Sequence, residues 1–324
     1  MDNPLTQRDP QGGDQIESWR KAYHEAIARD VSPFQLTDAF PLPADLPGLY
    51  QQLSKLKGYL DEFRPFDDYQ LENLREAFDT EYTFQSNKIE GNTLTLRETD
   101  LVINKGITIS GKSVREHLEA VNHAQAIVLM RELAGRDTDI TDRIVRDLHA
   151  VVLQAIRPAD AGRYRQEPVR IGGSQHVPPN YAKVPSLMDD MYRWYEANKA
   201  SLHPVQLAAE MHQKLATIHP FVDGNGRTSR LLMNLILLHN GYPVTVISGE
   251  RTERQRYYDT LEVAHLSQPA DNTTFQRFVA ETVRTWLIKY LEMLTVNGTD
   301  RNKGKGANFL KAVEPHLAPQ VSQK

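Results

Sequence analysis

The chain has 324 residues, 40% of them hydrophobic and 25% charged, which is enough for one large domain or two modest ones. A formal net charge of -4 argues against a nucleic-acid binder that relies on bulk electrostatics. The absence of cysteine excludes disulfides and thiolate metal sites and fits a reducing cytoplasm. The first residues lack the apolar core of a signal peptide, and no apolar run is long enough to span a membrane. We therefore expect a soluble, cytoplasmic protein whose partners include neither nucleic acid nor membrane.

Apolar residues recur with helical spacing along most of the chain. Residues 1–15 are polar, contain proline and glycine, and are expected to be disordered. Beyond them, the periodicity predicts helices at 16–29, 46–63, 68–89, 113–133, 141–156, 184–198, 204–218, 227–240, 252–266 and 272–294, with Asn272 capping the last. From Val296 the composition turns polar and basic, so residues 296–324 are expected to form a flexible tail. The expected fold class is all-α.

Residues 163–179, read as RYRQEPVRIGGSQHVPP, break this helical rhythm. Two short extended runs, 168–171 and 175–177, flank Gly172 and Gly173. Extended runs on either side of a glycine pair are typical of a β-hairpin. By itself the pattern indicates a surface hairpin between two helices.

The stretch 219–230, HPFVDGNGRTSR, joins two predicted helices and concentrates residues that carry chemistry. Pro220 disfavours the α conformation for His219, so the first helix should end there and the imidazole should project from the start of a loop. Gly224 and Gly226 allow the backbone N–H groups of the loop to turn toward an anion. The N-terminus of the second helix points its unpaired donors and positive dipole end toward the same place.

The helix that follows adds charged side chains at its start. Arg227, Arg230 and Asn234 fall on one face, while apolar residues elsewhere make the helix hydrophobic nearly all round and hence buried. Two arginines at the mouth of a buried helix need anionic partners, because an unpaired buried charge is costly. Asp223 is a carboxylate available for a divalent metal. The stretch therefore predicts a polyphosphate site.

Residues 86–92, SNKIEGN, close the predicted helix 68–89. Ser86 and Glu90 are four residues apart and share one face of the helix end. In this last turn the negative end of the helix dipole disfavours a carboxylate. Glu90 is therefore either paired with a cation from elsewhere in the chain or exposed to solvent, and the residues alone leave both possibilities open.

Residues 219–230 resemble the signature of Fic-domain proteins: His, any residue, Phe, any residue, Asp or Glu, then Gly-Asn-Gly-Arg and a second Arg three positions later. The similarity covers roughly residues 80–290. It implies a Fic-type helical bundle in which the predicted hairpin is a flap beside the active site that aligns an extended segment of the target. It also implies an N-terminal helical region (16–110) with an inhibitory helix, followed by a catalytic core (111–295).

The resemblance implies a protein adenylyltransferase that uses ATP and Mg²⁺. Such an enzyme transfers AMP to Ser, Thr or Tyr hydroxyls of a target protein, or of itself, and releases pyrophosphate. His219 would be the general base and Asp223 the magnesium ligand. The nucleotide would contact the backbone N–H groups of Gly224, Asn225 and Gly226 and the Asn225 side chain at the α-phosphate, Arg227 and Arg230 at the β- and γ-phosphates, and Tyr257 and Tyr258 near the base. Helical aromatic residues are more often part of a core, so that role stays open for both tyrosines.

The SNKIEGN stretch is similar to the inhibitory pattern of Fic proteins, in which Ser or Thr precedes Glu by four positions. The resemblance implies that Glu90, with Ser86 on the same helix, pairs with Arg230 and occupies the space of the ATP γ-phosphate. Two alternatives remain. The same site could remove AMP from a modified protein, or the chain could be a nucleotide-sensing interaction protein. Similar proteins also lead us to expect a homodimer.

Overall fold

The structure, a computed structural model, describes residues 39–66, 68–136, 139–267, 271–296 and 305–317, and these are mainly helical. Its α-helices are α1 (Leu46–Asp61), α2 (Asp68–Ile89), α3 (Leu96–Lys105), α4 (Val114–Ala134), α5 (Asp142–Leu153), α6 (Val184–Asn198), α7 (Pro204–Ile218), α8 (Asn225–His239), α9 (Arg251–Leu266), α10 (Thr273–Val296) and α11 (Ala307–Leu317). A short 3-10 helix, Tyr181–Lys183, precedes α6. No β-strand occurs in these ranges, and no helix within them is long and apolar enough to cross a membrane.

The all-α prediction is confirmed for the described ranges. Helices α2, α6 and α7 have the predicted bounds. The helix predicted at 16–29 and the disorder predicted for 1–15 lie outside the described residues. Helix α3 was not predicted; a capping box between Thr95 and Glu98 begins it, and Gly106, with φ of 65°, ends it. These are local signals for a helix of only 10 residues.

Asn272 lies at the predicted N-cap position of α10, where its carbonyl accepts from the Gln276 N–H at 2.8 Å, but its side chain does not cap the helix. Its amide donates hydrogen bonds of 3.1 and 2.9 Å to the two carboxylate oxygens of Glu210. The Thr273 N–H instead donates to the Asp271 carboxylate at 2.9 Å. The neighbouring residue thus supplies the capping acceptor, because Asn272 is engaged by α7.

Backbone packing separates the described residues into two compact units, and the first comprises those up to Leu71 together with those from Arg284 onward. Within it, α1 buries Leu49, Leu53, Leu56 and Leu60, and α11 buries Phe309, Leu310 and Val313. The prediction of a flexible tail over 296–324 is therefore wrong for α11. Three apolar residues at helical spacing give that short helix a face to bury.

The second unit, Glu72–Val283, contains the stretch 219–230. The sequence-based division at residue 110 falls inside it. Helix α8 packs against α7, α4 and α5. Its apolar side chains are almost fully inaccessible: Leu231, Leu232, Met233, Leu235, Ile236 and Leu237. The start of α8 therefore sets Arg227 and Arg230 at the edge of a dry core.

Residues 163–179 do not form the predicted β-hairpin. The two glycines make a turn, in which the Ser174 N–H donates to the Ile171 carbonyl at 3.3 Å, but no strand pairing flanks this turn. Three residues of the segment are prolines, which donate no backbone hydrogen bond. Side-chain contacts hold the segment instead: Glu262 of α9 accepts from the Gln175 N–H at 2.6 Å. The segment is thus attached to helices rather than paired as strands.

Candidate active site

His219 lies where α7 ends. Its backbone has φ of 51° and ψ of 57°, in the left-handed region, and no other described non-glycine residue has positive φ. The His219 N–H donates to the Leu215 carbonyl at 2.9 Å. A left-handed backbone costs an L-residue about 1–2 kcal/mol. The turn that results ends the helix and places the imidazole at the start of the loop, as the proline after it predicted.

The ring of His219 is a neutral imidazole. Its Nδ1 lies 3.4 Å from the Ala216 carbonyl, and because a carbonyl oxygen can only accept, Nδ1 carries the proton. Nε2 is then the unprotonated nitrogen, which is the form a general base requires. Burial lowers the pKa of His219 to about 4, and the nearby Arg165 cation acts in the same direction. The ring is therefore uncharged at neutral pH.

His219 lines a cavity of about 1030 Å³ in the second unit. Its walls also include Glu90 directly after α2, Asp223 and Gly224 of the loop, Arg230 of α8 and Tyr258 of α9. Small-molecule sites typically enclose about 300–1000 Å³. The cavity is therefore large enough for a nucleotide with part of another chain beside it.

The loop between α7 and α8 is held rigid by Asn225. Its side-chain oxygen accepts from the Phe221 N–H and its amide donates to the Phe221 carbonyl, both at 2.9 Å. The Phe221 ring stacks on His149 at 3.6 Å between centroids. Both polar ends of the Asn225 side chain are thus occupied. The side chain thus shapes the loop, and Asn225 also lines the cavity. Its contact with an α-phosphate stays a prediction.

Glycine is needed at positions 224 and 226 for different reasons. Gly224 has φ of 79° at the N-cap of α8, a left-handed conformation that other residues adopt with strain. A Cβ on Gly226 would lie 2.4 Å from Oε1 of Glu90. The missing side chain at 226 therefore lets a carboxylate reach the start of α8. The first-turn N–H groups there have no partner within the helix and favour an anion.

Asp223 is an ionised carboxylate beside the cavity. Oδ2 accepts from Arg115 at 2.8 Å, and Oδ1 accepts from Arg227 at 3.2 Å and from the Gly224 N–H at 2.6 Å. Burial alone raises the pKa of Asp223, but Arg227, the Gly224 N–H and Arg115 together hold it below its usual range. This carboxylate is therefore negatively charged at neutral pH.

The surroundings of Asp223 fit one kind of metal binding. Among the described residues, no group of three or more His, Cys, Asp or Glu side chains could hold an ion alone. Mg²⁺ is commonly bound through one or two carboxylates plus substrate phosphates, which a single aspartate at a cavity wall can satisfy. Arg115, whose side chain is 57% exposed, is the partner that such an ion would displace.

Arg227 does not line the cavity. Its buried guanidinium donates to Asp223, and its Nη1 lies 3.9 Å from a Glu119 carboxylate oxygen. Nε and Nη1 have no hydrogen-bond partner among the described residues. In this arrangement Arg227 sits behind Asp223, so its predicted contact with a phosphate requires its side chain to move.

Arg230 is fully buried and bonds to the end of α2. Its Nε donates to the Ser86 hydroxyl at 3.0 Å, and its Nη2 donates to the Ser86 carbonyl at 2.9 Å and to Glu90 at 2.7 Å. Burial lowers the pKa of Arg230, but the Glu90 carboxylate together with Tyr257 and Tyr82 raises it, and the net shift is upward. The two residues of the SNKIEGN stretch thus surround the second arginine of the motif, 140 or more positions away in sequence.

The two tyrosines of α9 occupy different environments. Tyr257 is buried, its hydroxyl lies 3.1 Å from Nε2 of His212, and burial raises its pKa to about 12. Tyr258 is 38% exposed at the cavity wall, and its hydroxyl donates to the Ile89 carbonyl at 3.0 Å. Both tyrosines line the cavity, Tyr257 as a buried residue of the core and Tyr258 with a partly exposed ring.

Two further residues support the loop and were missed in the sequence. His149 accepts from the Gly162 N–H at Nδ1, so its Nε2–H donates to the Asp223 carbonyl at 2.9 Å. The guanidinium of Arg165 donates to the His219 carbonyl at 2.8 Å. Each of them is more than 50 residues away in sequence from the loop residue that it contacts, so no local sequence signal indicates the contact.

Comparison with known proteins agrees with this geometry. Residues 139–237 match the Fic/DOC family. The protein adenylyltransferase Fic of Drosophila virilis is 35% identical over 257 residues, 77% of this chain and 51% of that protein. The Drosophila melanogaster protein of the same name is 38% identical over 218 residues, 67% of this chain and 43% of that protein. The chain thus spans about half the length of the curated relatives it matches.

Solved structures show the same fold. Fic-1 of C. elegans has a TM-score of 0.68 at 28% identity and covers 89% of this chain and 86% of its own. A Fic domain containing signaling protein from Bacteroides thetaiotaomicron has a TM-score of 0.65 at 27% identity, and the match covers 77% of this chain and 97% of that protein's chain. Motif, fold and similarity agree: the chain belongs to the Fic/DOC family.

Proposed function

We propose that this chain is a protein adenylyltransferase, which moves AMP from ATP to a Ser, Thr or Tyr hydroxyl of another protein or of itself. One observation carries the proposal: the neutral His219 ring lines the same cavity as the start of α8 and the buried Arg230. A base, an anion-binding helix end and a cation are the groups that attack on a phosphate requires. The two fly relatives, each named protein adenylyltransferase Fic, support the same activity.

The chemistry assigns each group one task. Nε2 of His219 takes the proton of the target hydroxyl while the hydroxyl oxygen attacks the α-phosphorus of ATP. A new phosphorus–oxygen bond forms, the bond to the β-phosphate bridge breaks, and pyrophosphate leaves. The first-turn N–H groups of Asn225 and Gly226 stabilise the charge that builds on the α-phosphate. Asp223 would hold a Mg²⁺ ion that accompanies the nucleotide and offsets phosphate charge.

Arg230 would bind the terminal phosphates, and Glu90 would compete with them. The Glu90 carboxylate lies against Gly226 and bonds to Arg230 at 2.7 Å, where an anionic phosphate needs the same guanidinium. A preference of about 2.7 kcal/mol for the closed arrangement lowers the apparent affinity for ATP about a hundredfold. A hydrogen bond to a charged group contributes about 1.5–3 kcal/mol. The pair with Arg230 is therefore of the right size to inhibit the chain from within.

The position of Glu90 also favours a second candidate reaction at the same site. Only Oε1 of its carboxylate bonds to Arg230, and Glu90 lines the cavity. The other oxygen could hold a water molecule for attack on an AMP-modified side chain. Incubating the wild-type chain with AMP-modified protein decides this candidate: release of AMP supports it, and no release rules it out.

We expect Glu90→Gly to raise self-labelling from α-labelled ATP about tenfold to a hundredfold, because Arg230 becomes available to phosphate. Adding His219→Ala should abolish the labelling, since the base is gone. The matched control is Glu76→Gly, an exposed position on α2, the helix that leads to Glu90, which should leave labelling at the wild-type level. Equal labelling by Glu90→Gly with and without His219→Ala would refute the mechanism.

A further inference from the structure

Arg165 is a buried cation that is held by backbone carbonyls. It is 3% exposed and forms no ion pair with a carboxylate among the described residues. Burial lowers its pKa. A charge without a counter-charge is expensive inside a protein, so a neutral residue would be the expected occupant of a purely structural position. The guanidinium therefore has a task that depends on its donor geometry.

One side of Arg165 fixes the turn that carries His219. Its Nε donates to the His219 carbonyl at 2.8 Å, and its own backbone N–H donates to the Pro220 carbonyl at 2.9 Å. Two consecutive peptide groups are thereby oriented by a single residue. The ring bond from Nδ1 to the Ala216 carbonyl is long, at 3.4 Å, and holds the imidazole only loosely. The bonds from Arg165, together with the bond from the His219 N–H to the Leu215 carbonyl, therefore fix the backbone that sets where the ring points.

The other side of Arg165 closes the base of the segment beside the cavity. Nη1 donates to the Glu167 carbonyl at 3.1 Å, and Nη2 donates to the Pro179 carbonyl at 2.5 Å. Residues 170–174 between these two points line the cavity with His219. After these cavity-lining residues, the ring of His176 bonds to the Thr217 carbonyl of α7 at 2.9 Å and holds the segment there.

We propose that Arg165 is a positioning residue that keeps the His219 imidazole and the cavity-lining segment 167–179 in one fixed arrangement. The proposal rests on the proposed role of His219 as the base. It requires the planar fork of an arginine, whose separate N–H groups reach three carbonyls in different directions. A lysine keeps the charge but concentrates its donors at one point.

The test compares variants in the Glu90→Gly chain, where self-labelling is measurable. Arg165→Lys keeps the charge and loses the fork, and Arg165→Met loses both. Arg163→Lys is the matched control, because Arg163 is exposed two positions away. For each variant, the labelling rate at saturating ATP, the ATP concentration for half-maximal rate, the melting temperature and the pH profile are measured.

We expect Arg165→Lys to lower the saturating rate at least about tenfold while the half-saturating ATP concentration changes less than about threefold, the pattern of a lost alignment in the transition state. The acidic limb of its pH profile should move up toward about 6.5, as in an exposed histidine. Loss of charge would not explain this upward shift of the acidic limb in the lysine variant, because lysine keeps a cation beside His219. The neighbouring rings of His176 and His265 are unchanged in both variants. Arg163→Lys should match its parent.

Three results overturn the proposal. Arg165→Lys could keep the saturating rate within about twofold of its parent, which means that the fork is not needed. Rate, ATP affinity and melting temperature could fall together in both variants, which reduces Arg165 to a fold-stabilising residue. If Glu90→Gly itself transfers no label, the proposed function fails and this inference with it, and that result differs visibly from failure of Arg165→Lys alone.

Discussion

At the residue scale, the site depends on two side chains whose charge states are set by their surroundings. His219 is neutral because burial disfavours its cationic form. Arg230 is more completely buried, yet it stays charged because Glu90 and Ser86 bond to it. A proton acceptor and an anion-binding cation therefore coexist at one cavity. Such pairs, pushed apart in pKa by environment, are how one site combines acid–base chemistry with phosphate binding.

The first prediction concerns the His219 ring. We expect it to stay neutral in the folded chain down to about pH 4, because burial and the Arg165 cation both lower its pKa. Glu90 acts in the opposite direction, so Glu90→Gly should lower the pKa further. Ring C–H signals followed by NMR against pH, with His219→Ala to assign the resonance, measure this directly. A His219 signal that titrates at the ordinary value of about 6.5 would show that the ring is not desolvated.

At the element scale, the end of α2 is held in place by several neighbours at once. The bonds are Gln85 to the Gly249 N–H at 2.7 Å, Asn87 to the Glu119 carbonyl at 3.3 Å, the Lys88 ion pair with Glu250, and Tyr258 to the Ile89 carbonyl at 3.0 Å. They connect this helix end to α4, to the residues before α9 and to α9. Glu90 thus reaches Arg230 from a supported helix end, which makes the closed arrangement the stable one.

Tyr258→Phe tests that coupling. Loss of its hydroxyl removes one hydrogen bond to the Ile89 carbonyl, worth about 0.5–1.5 kcal/mol. Basal self-labelling should therefore rise about two- to tenfold. In the Glu90→Gly chain the same substitution should change nothing, because the inhibitory carboxylate is already absent. An equal effect in both chains would mean that Tyr258 acts on the nucleotide and not through α2.

The helices that the sequence predicted are those with long apolar periodicity. Helices α2, α6 and α7 were found with their limits because repeated apolar positions outweigh local irregularities. Helix α3 was not predicted because it is short and polar. The predicted hairpin is wrong because the glycine turn is a local feature, and its segment bonds to the Thr217 carbonyl of α7 and the Glu262 side chain of α9. Local signals specify a turn, but only tertiary contacts decide whether strands form beside it.

In the candidate site, too, features encoded by consecutive residues were predicted and contacts from distant segments were not. The loop, the helix start and the position of Arg230 follow from consecutive residues, so the sequence was sufficient for them. Asn225 was assigned to phosphate, and its side chain also closes the loop on Phe221, because a turn of this kind needs its own polar partner. Arg165 and His149 reach the loop from distant segments, and no spacing in a single sequence indicates such contacts.

At the scale of the whole chain, burial of histidine is a recurring property. Six of the 11 histidines have a pKa lowered mainly by burial: His123, His149, His203, His212, His219 and His265. All six belong to the second unit, Glu72–Val283. Neither ring nitrogen of His123 has a hydrogen-bond partner among the described residues. The folded chain therefore resists protonation at positions that the unfolded chain protonates freely.

This property predicts a loss of stability in mild acid. Between about pH 6.5, where unfolded histidines titrate, and about pH 4, the unfolded chain binds more protons than the folded one, so the free energy of unfolding falls as the pH falls. Each fully buried histidine contributes up to about 1.4 kcal/mol per pH unit. Urea unfolding across this range measures the slope. His123→Leu should reduce the slope, because it removes an unpartnered buried ring, whereas His239→Gln, at an exposed position, should not. Stability that stays constant from neutral pH to pH 5 would contradict neutral burial of these rings.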